Sequence, residues 1–385
     1  MLDTTNLLRD LVRLPSVNPM GRDLRGPEIF EHQVTAYLEN YFRGLGVRFE
    51  RQTIAPLRDN ILAFYEPIDA TRTLVFEVHQ DTVPTDGMTI EPFAGRIEGD
   101  RLYGRGACDV KGGMAAMMTA FSRLVRERPA RCARVVLACA VDEESTFLGV
   151  QRLVRDDLRG NCRGPIEAVV AEPTGLNIVD AHKGVVRWTL STAGRSCHSS
   201  QPDRGENAIY RMAKLLPVVE RFAVELQSRS PHPRLGPGTL SVGMIEGGTS
   251  VNTVPDFCRV QIDRRLLPGE NPGDAPKELA AYIGARSDTS FECSRPWLNC
   301  PSLAAIGSVA LTARLGGAID SVVGRHEVHA VSYGTDASTI SLAGIPAVVF
   351  GPGDIARAHT CDEWVPLQEV SQAAEILYRL AARGD

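Results

Sequence analysis

Short apolar runs alternate with helix-like stretches along much of this chain, and this alternation limits what the chain can fold into. Strand-like runs at residues 74–78, 134–141 and 166–170 are separated by amphipathic helical patterns at 114–125 and 149–158. Strands that alternate with helices in this way build a largely parallel sheet with helices packed on its faces. The sequence therefore predicts an α/β domain.

The rhythm changes after residue 181. The predicted elements then follow the order strand, helix, strand, strand, helix, strand, at residues 184–192, 207–226, 240–245, 257–266, 275–285 and 290–293. This is the order of a ferredoxin-like α+β unit, which closes on itself and can be inserted into a larger domain. We therefore predict a discontinuous α/β/α catalytic domain of residues 1–181 and 297–385, which carries an inserted ferredoxin-like domain of residues 182–296.

Composition and charge exclude several classes of protein. The formal net charge of −5 leaves no electrostatic footprint for nucleic acid or for an anionic membrane. Asp3, Arg9 and Asp10 interrupt the start of the chain, which does not have the pattern of a signal peptide. The nine cysteines include no C-x-x-C pair in a long chain, so a disulfide scaffold is not indicated. These features predict a cytoplasmic protein with reduced thiols and without nucleic-acid or membrane partners.

Ligand-type side chains follow the predicted strands at their carboxyl ends, where open α/β sheets form sites. His79 and Asp81 come directly after the run 74–78. Residues two apart on a strand share a face, so these two side chains can project together. A neutral imidazole is a good zinc ligand whose other N–H needs a partner, for which Asp81 is a candidate. The structural alternative is a buried histidine that is hydrogen-bonded to a nearby carboxylate.

A glycine-rich stretch, residues 104–113, places Asp109 near the start of a predicted helix. Its glycines permit tight turns, but the Lys-Ser or Lys-Thr of a phosphate-binding loop does not follow them. Asp109 could bridge two cations through its two oxygens, or it could cap the helix. The sequence allows both interpretations of Asp109.

Further acids and a histidine follow the other strands. The strand 134–141 leads into Asp142-Glu143-Glu144, and adjacent acids repel one another unless they are solvated or neutralised by a cation. Glu172 follows the strand 166–170, and His359 follows the strand 347–350. Each of these residues alone could belong to a surface turn. Together they form a mixed histidine and carboxylate set, which is typical of catalytic zinc.

Taken in order, these motifs resemble the di-zinc aminoacylase and acetylornithine deacetylase family, which includes succinyl-diaminopimelate desuccinylase and carboxypeptidase G. The matching stretches span nearly the whole chain: His79-Gln80-Asp81, Gly104 to Gly113, Asp142-Glu143-Glu144, Glu172-Pro173-Thr174, His198-Ser199-Ser200 and Gly351 to His359. The resemblance implies a catalytic domain that carries an inserted lid domain.

The resemblance also implies roles for these residues. His79 and Glu172 would bind one zinc ion, Glu144 and His359 the other, and Asp109 both. Asp81 would orient His79, and Glu143 would be the general base. Gly351 and Gly353 would lie at the substrate. The predicted metal ligands are thus His79, Asp109, Glu144, Glu172 and His359, and the predicted catalytic residues of this domain are Glu143 and Asp81.

For the insert, the resemblance implies a lid that also forms the contact of a homodimer. His198 matches a lid histidine that reaches the active site of the partner subunit; alternatively it is an ordinary turn histidine. Asn252 and Arg265 match substrate-contacting positions. Because Asp263 and Arg265 share a strand face, they could instead form a structural ion pair.

The predicted function is the removal of an acetyl or succinyl group from an N-acylated amino acid. The predicted cofactors are two Zn²⁺ per subunit, with Co²⁺ or Mn²⁺ as substitutes. Glu143 would take a proton from water and deliver it to the leaving nitrogen. In the family, Glu at the position of Glu172 is usual for deacylases. The alternatives are a dipeptidase or carboxypeptidase that acts on a short peptide, and a metal-stabilised binding protein, which would have no need of Glu143.

Overall fold

The computed structural model describes residues 3–156, 158, 160, 162 and 164–382. The chain divides into two compact units. The α/β unit consists of Met1–Ala181, Ala304–His329 and Thr335–Asp385, and the insert unit of His182–Leu303 and Ala330–Gly334.

In chain order, the helices are α1 (Thr4–Val12), α2 (His32–Leu45), α3 (Gly112–Glu127), α4 (Leu148–Asp156), α5 (Ala208–Ser228), α6 (Ala275–Gly284), α7 (Val309–Val323), α8 (Asp336–Leu342) and α9 (Leu367–Ala382). The strands are β1 (Arg48–Ala55), β2 (Arg58–Tyr65), β3 (Thr73–His79), β4 (Arg96–Glu98), β5 (Arg101–Tyr103), β6 (Arg134–Ala140), β7 (Ile166–Val170), β8 (Ile178–His182), β9 (Gly184–Ala193), β10 (Thr239–Gly247), β11 (Phe257–Leu266), β12 (Glu292–Cys293), β13 (Leu298–Cys300), β14 (Val328–Val331), β15 (Ala347–Val349) and β16 (Trp364–Pro366).

Among the described residues, eight strands form one mixed sheet in the order β1-β2-β6-β3-β7-β15-β8-β14. The central strands β6, β3, β7 and β15 run parallel to one another. Every residue of β3 and β6 is buried, and their apolar runs are those expected of parallel strands covered on both faces. Phe121 of α3 and Leu377 of α9 belong to the buried core of this unit. The predicted α/β fold is confirmed.

The hairpin of β1 and β2 was not predicted from the sequence. Strand β2 begins with Arg58, Asp59 and Asn60, and all three are buried. Three polar residues in succession do not have the apolar pattern by which strands are recognised. Their polar atoms have partners within the unit: Arg58 donates to Glu31 and Asp142, and Asn60 donates to the Gly149 carbonyl oxygen.

Several helix boundaries differ from the prediction. The apolar pattern of residues 303–315 predicts a helix there, whereas helix α7 begins at Val309. Helix α4 begins at Leu148, and residue 157, inside the predicted helix 149–158, lies outside the described residues. Among the helices that the structure describes, none combines the length and apolar character needed to cross a membrane. The cytoplasmic location stays a prediction.

The insert unit contains a separate antiparallel sheet in the order β10-β11-β9-β12, with β13 also paired to β9. Buried and less buried residues alternate along β9 and β11, because one face of the sheet packs into the apolar core of the unit. The predicted insert ended at residue 296. The unit extends to Leu303 because β13 stays hydrogen-bonded to β9.

Candidate metal centre

Four neighbouring parallel strands of the α/β unit lead into the predicted metal ligands. His79 is the last residue of β3, and β6 runs on into Glu143 and Glu144. Glu172 follows β7, and His359 lies in the loop after β15. Because the carboxyl ends of parallel strands meet at one edge of a sheet, residues far apart in the sequence converge there.

The ligand atoms of the five predicted metal-binding residues lie close together. His79 Nε2 is 3.1 Å from Asp109 Oδ1 and 3.9 Å from Glu172 Oε1. His359 Nε2 is 3.3 Å from Asp109 Oδ2 and 3.1 Å from Glu144 Oε1. Asp109 therefore turns one oxygen towards each histidine. This is the arrangement that a carboxylate shared by two cations requires.

Two overlapping groups of side chains could each hold a cation. One ligand atom each from His79, Asp109 and Glu144 lie within 4.8 Å of one another, and so do those from His79, Glu143 and Glu172. Glu143, the predicted general base, thus lies beside the ligand atoms of one group. A proton acceptor needs this proximity to the reacting atoms.

The loop before α3 positions Asp109 without using its side chain as a helix cap. Helix α3 begins after Lys111, and its N-terminus has no side-chain cap. A Cβ at Gly113 would lie 2.9 Å from Ala171 Cβ, so only glycine lets the helix start approach the residue before Glu172. The capping alternative for Asp109 is therefore not what the structure shows.

His79 is oriented by the main chain of Asp81. Its Nδ1 lies 3.0 Å from the Asp81 carbonyl oxygen, so Nδ1 carries the proton and donates it there. The lone pair of Nε2 is then free to face Asp109 and a cation. The Asp81 carboxylate, which was predicted to orient His79, lies 3.6 Å from Nδ1.

The carboxylate of Asp81 contacts the turn that carries the predicted base. Its two oxygens accept hydrogen bonds from the backbone N–H groups of Glu143 and Glu144, each at 3.2 Å. Asn18 donates to the same carboxylate at 2.8 Å. Asp81 therefore acts on both His79 and Glu143, through different atoms.

A buried ion-pair network, which no sequence pattern had indicated, extends this support. Asn18 also donates to Asp142 Oδ1 at 3.0 Å, and Arg58 Nη1 donates to the same oxygen at 2.6 Å. Arg58 Nε donates to Glu31 Oε2 at 2.9 Å. Asp142 has a φ of 68°, a left-handed conformation that a non-glycine residue rarely adopts. The network holds this unusual turn directly before Glu143.

Comparisons with known proteins agree with this geometry. A family model described as Peptidase family M20/M25/M40 matches residues 75–383. The chain belongs to this family. An acetylornithine deacetylase from Myxococcus xanthus is 31% identical over 315 residues, which cover 79% of this chain and 78% of that protein. The predicted family is thereby confirmed, and the protein is a hydrolase that acts on amide bonds.

Solved structures from the M20 family share the fold. The crystal structure of an M20 family metallo-carboxypeptidase from Sulfolobus solfataricus has a TM-score of 0.79 and 18% identity, and the match covers 99% of both chains. A dinuclear metal-binding peptidase from Bacillus subtilis has a TM-score of 0.69 and 17% identity, covering 98% of this chain and 96% of that chain. The family thus includes proteins that bind two metal ions.

The electrostatics of the M20 site favour cations. Burial and the charge of Asp109 raise the pKa of Glu144 to about 7, and burial raises the pKa values of Glu143 and Glu172 well above the usual range. Hydrogen bonds to Asp109 and Glu144 raise the pKa of His359 to about 11. In the part of the chain that the structure describes, no Lys or Arg forms an ion pair with Glu143, Glu144 or Glu172. When these carboxylates are ionised they repel one another, and a cation bound beside them would relieve this repulsion.

The donor atoms fit two divalent cations. His79 and Glu172 would hold one, Glu144 and His359 the other, with Asp109 between them. Imidazole nitrogens with carboxylate oxygens are a donor set of catalytic zinc, whereas structural zinc sites are rich in cysteine. This assignment of each residue to an ion stays a prediction.

Gly351 and Gly353 were predicted to lie at the substrate, but their N–H groups already have partners. Gly351 N donates to Thr174 Oγ1 at 3.0 Å, and Gly353 N donates to Glu369 Oε2 at 2.8 Å. A Cβ at Gly351 would lie 2.6 Å from the Glu172 carbonyl oxygen. Gly351 therefore allows the loop after β15 to pack against the backbone of a predicted metal ligand.

In the insert unit, His198 and Asn252 lie on two segments that pair with each other. Ser199 N donates to the Asn252 carbonyl oxygen at 3.0 Å, and His198 pairs with Thr253 in an isolated bridge. The ring Nδ1 of His198 lies 2.7 Å from Ser200 Oγ. Both His198 and Asn252 are exposed. Their catalytic and substrate-binding roles stay predictions.

Arg265 forms the ion pair that the sequence left open as an alternative. Its Nε donates to Asp263 Oδ1 at 2.7 Å, and Asp263 also accepts from Arg187 Nε at 2.8 Å. One carboxylate therefore faces two guanidinium groups. The surplus positive charge is compatible with binding a substrate carboxylate, and this role also stays a prediction.

Proposed function

We propose that the protein is a di-metal amidohydrolase that removes an acetyl or succinyl group from an N-acylated amino acid. The observation that carries the proposal is that Asp109 turns one oxygen to His79 and the other to His359, beside the buried Glu143. The 31% identical relative from Myxococcus xanthus, an acetylornithine deacetylase, supports deacylation. The metals are proposed to be zinc, with Co²⁺ or Mn²⁺ as substitutes.

Glu143 is the proposed general base. It is 8% exposed, and its backbone is held by Asp81. When bound, two divalent cations supply Lewis acidity and lower the pKa of a water molecule. Glu143 accepts the proton of the attacking water and later delivers it to the leaving nitrogen. Burial raises the pKa of Glu143 well above its usual range, which makes it a stronger proton acceptor.

The insert is proposed to form a homodimer contact and to supply His198 to the partner subunit. Strand β10 is an edge strand of the insert sheet, and its Met244 and Ile245 are 61% and 59% exposed. An apolar edge strand offers unpaired main-chain groups to a second chain. His198 is proposed to donate a hydrogen bond to the oxyanion that forms when water attacks the amide. Asn252 and Arg265 are proposed to bind the substrate carboxylate.

A substrate panel tests this function. The zinc-loaded protein is given N-acetyl and N-succinyl amino acids alongside dipeptides, and kcat/KM is measured for each. We expect the acyl amino acids to be preferred. Preference for the dipeptides would favour the family's peptidases, and no turnover of either class would contradict amidohydrolysis of these compounds. Zinc-loaded Glu143→Gln protein, purified in the same way, controls for a contaminating hydrolase.

A further inference from the structure

Glu363 is a buried carboxylate that lies against the loop of Asp109. Its side chain is 0% exposed. One oxygen, Oε1, accepts hydrogen bonds from the backbone N–H groups of Cys108 and Asp109, at 3.0 Å and 3.1 Å. The other oxygen, Oε2, accepts from Arg105 Nη1 at 2.7 Å. The sequence comparison with the family assigned no role to Glu363.

The two backbone N–H groups need this acceptor. Asp109 has a φ of −120° and a ψ of 90°, which is outside the helical range, so its N–H cannot take part in a regular helix. A buried N–H without a partner costs free energy comparable to a lost hydrogen bond. A carboxylate that accepts both N–H groups forms charge-assisted hydrogen bonds, which are shorter and stronger than neutral ones. Glu363 thereby fixes the backbone from which the Asp109 side chain projects.

Glu363 belongs to the same loop as His359. Gly104 N donates to the Glu363 carbonyl oxygen at 3.0 Å, and Arg105 Nη1 also donates to the Thr360 carbonyl oxygen at 3.3 Å. The loop of His359 is therefore bonded to the loop of Asp109 at several points. His359 Nε2 and Asp109 Oδ2, which these loops carry, lie 3.3 Å apart.

We propose that Glu363, together with Arg105, is a positioning residue that sets the separation of Asp109 and His359. The proposal rests on the proposed function only in placing a cation between these two side chains, and it assumes nothing about the substrate. Its consequence is that cation affinity depends on a side chain that is not itself a ligand. Such partners of metal ligands typically contribute about 10–100-fold to metal affinity.

The test is a zinc titration of Glu363→Gln against a chromogenic chelator, without substrate. Glutamine keeps the shape of the side chain, but its neutral amide places an N–H group or an uncharged oxygen against Arg105. We expect zinc affinity to fall about 10–100-fold. Unchanged affinity would overturn the proposal. If wild type binds zinc but hydrolyses no acyl amino acid, the proposed function fails while this titration still decides the role of Glu363.

Glu167→Gln is the matched control. Glu167 is a partly buried carboxylate of the same unit that is paired with Arg314, and it lies in β7 at the end remote from Glu172. Removal of the Glu167 charge should lower the free energy of unfolding without changing zinc affinity. An equal loss of zinc affinity in both variants would show a general effect of stability and would overturn the proposal.

A second variant decides the matter if Glu363→Gln does not fold. Glu363→Asp keeps the negative charge beside Arg105 but withdraws the carboxylate by one methylene from the N–H groups of Cys108 and Asp109. We expect zinc affinity to fall below that of wild type, with kcat reduced more than KM is changed. Wild-type zinc affinity in Glu363→Asp would contradict the positioning role.

Discussion

The α/β unit and the insert unit hold their candidate functional residues in different ways. In the α/β unit, His79, Asp109 and Glu172 are at most 6% exposed, and buried main-chain hydrogen bonds fix their surroundings. In the insert unit, His198 and Asn252 are exposed and are held by contacts within neighbouring loops. The first arrangement suits an ion that requires fixed geometry, and the second suits a substrate or partner chain to which side chains can adapt.

The largest expected effect comes from Glu143→Gln, which tests the chemistry of the buried set. Removing the proton acceptor should lower kcat by about 10²–10⁴-fold, the usual contribution of general acid–base catalysis. Zinc binding should be retained, because Glu143 is not assigned as a ligand. Atomic absorption on the purified variant, together with kcat, checks this. Full activity would show that Glu143 is not the base, and loss of zinc would show that it is a ligand.

Replacing His359, the exposed member of the predicted ligand set, tests whether that set is a metal site. His359→Ala should weaken zinc affinity more than about 100-fold, because partners that only support ligands already contribute 10–100-fold. His329→Ala is the matched control, since His329 is a partly exposed histidine of the same unit whose partner is Glu327. Equal zinc content in both variants would contradict the ligand role of His359.

A variant at His198 tests the exposed set. His198→Ala should lower kcat by about 10²-fold, the cost of losing one donor to an oxyanion, and should leave zinc content unchanged. Mixing this variant with Glu143→Gln protein should restore activity, because a mixed dimer would contain one intact combination of His198 and Glu143. If the mixture stays as inactive as its parts, His198 does not act on the partner subunit.

His182 offers a buried histidine of the insert for comparison with His198. Burial lowers its pKa to about 4. Because an unfolded histidine titrates near 6.5, the unfolded state binds more protons between these values, and stability falls as pH decreases from about 6.5 to 4. Over this range wild type should lose about 2–3 kcal/mol more unfolding free energy than His182→Gln. Parallel stability curves, measured by urea unfolding at several pH values, would contradict this.

The smallest expected effect is at Arg265. Its ion pair with Asp263 is partly exposed, so Arg265→Gln should change the free energy of unfolding by less than about 1 kcal/mol. KM should nevertheless rise with little change in kcat, if Arg265 binds the substrate in the ground state and the transition state alike. Asp263→Asn is the control. A KM equal to that of wild type would leave Arg265 with the structural role only.

The sequence predicted those elements and residues that have a recognisable pattern, such as an apolar run or a position at the end of a strand. The strands β3, β6 and β7 are apolar runs, and most of the predicted metal ligands lie at or after the ends of strands, so both could be located without a structure. Strand β2 was missed because its polar start, Arg58-Asp59-Asn60, is buried through pairing with distant residues.

The hydrogen bonds that hold the backbone around the site could not be predicted, for a related reason. Asp81 and Glu363 accept hydrogen bonds from backbone N–H groups, and every residue except proline has such a group. Because almost any residue can be the donor, no sequence motif indicates these hydrogen bonds. His79 Nδ1 lies 3.0 Å from the main-chain carbonyl oxygen of Asp81 and 3.6 Å from its carboxylate, and the orienting role of Asp81 stays a prediction.

The predicted ligands His79 and His359 are 280 residues apart in the sequence. During synthesis on a ribosome, the growing polypeptide therefore lacks a complete set of ligands until the segment around His359 has emerged and folded. A chain cut short by premature termination or by a protease before that segment would lack hydrolytic activity. The order of the predicted ligands along the chain would thus delay metal binding until the segment around His359 has been synthesised.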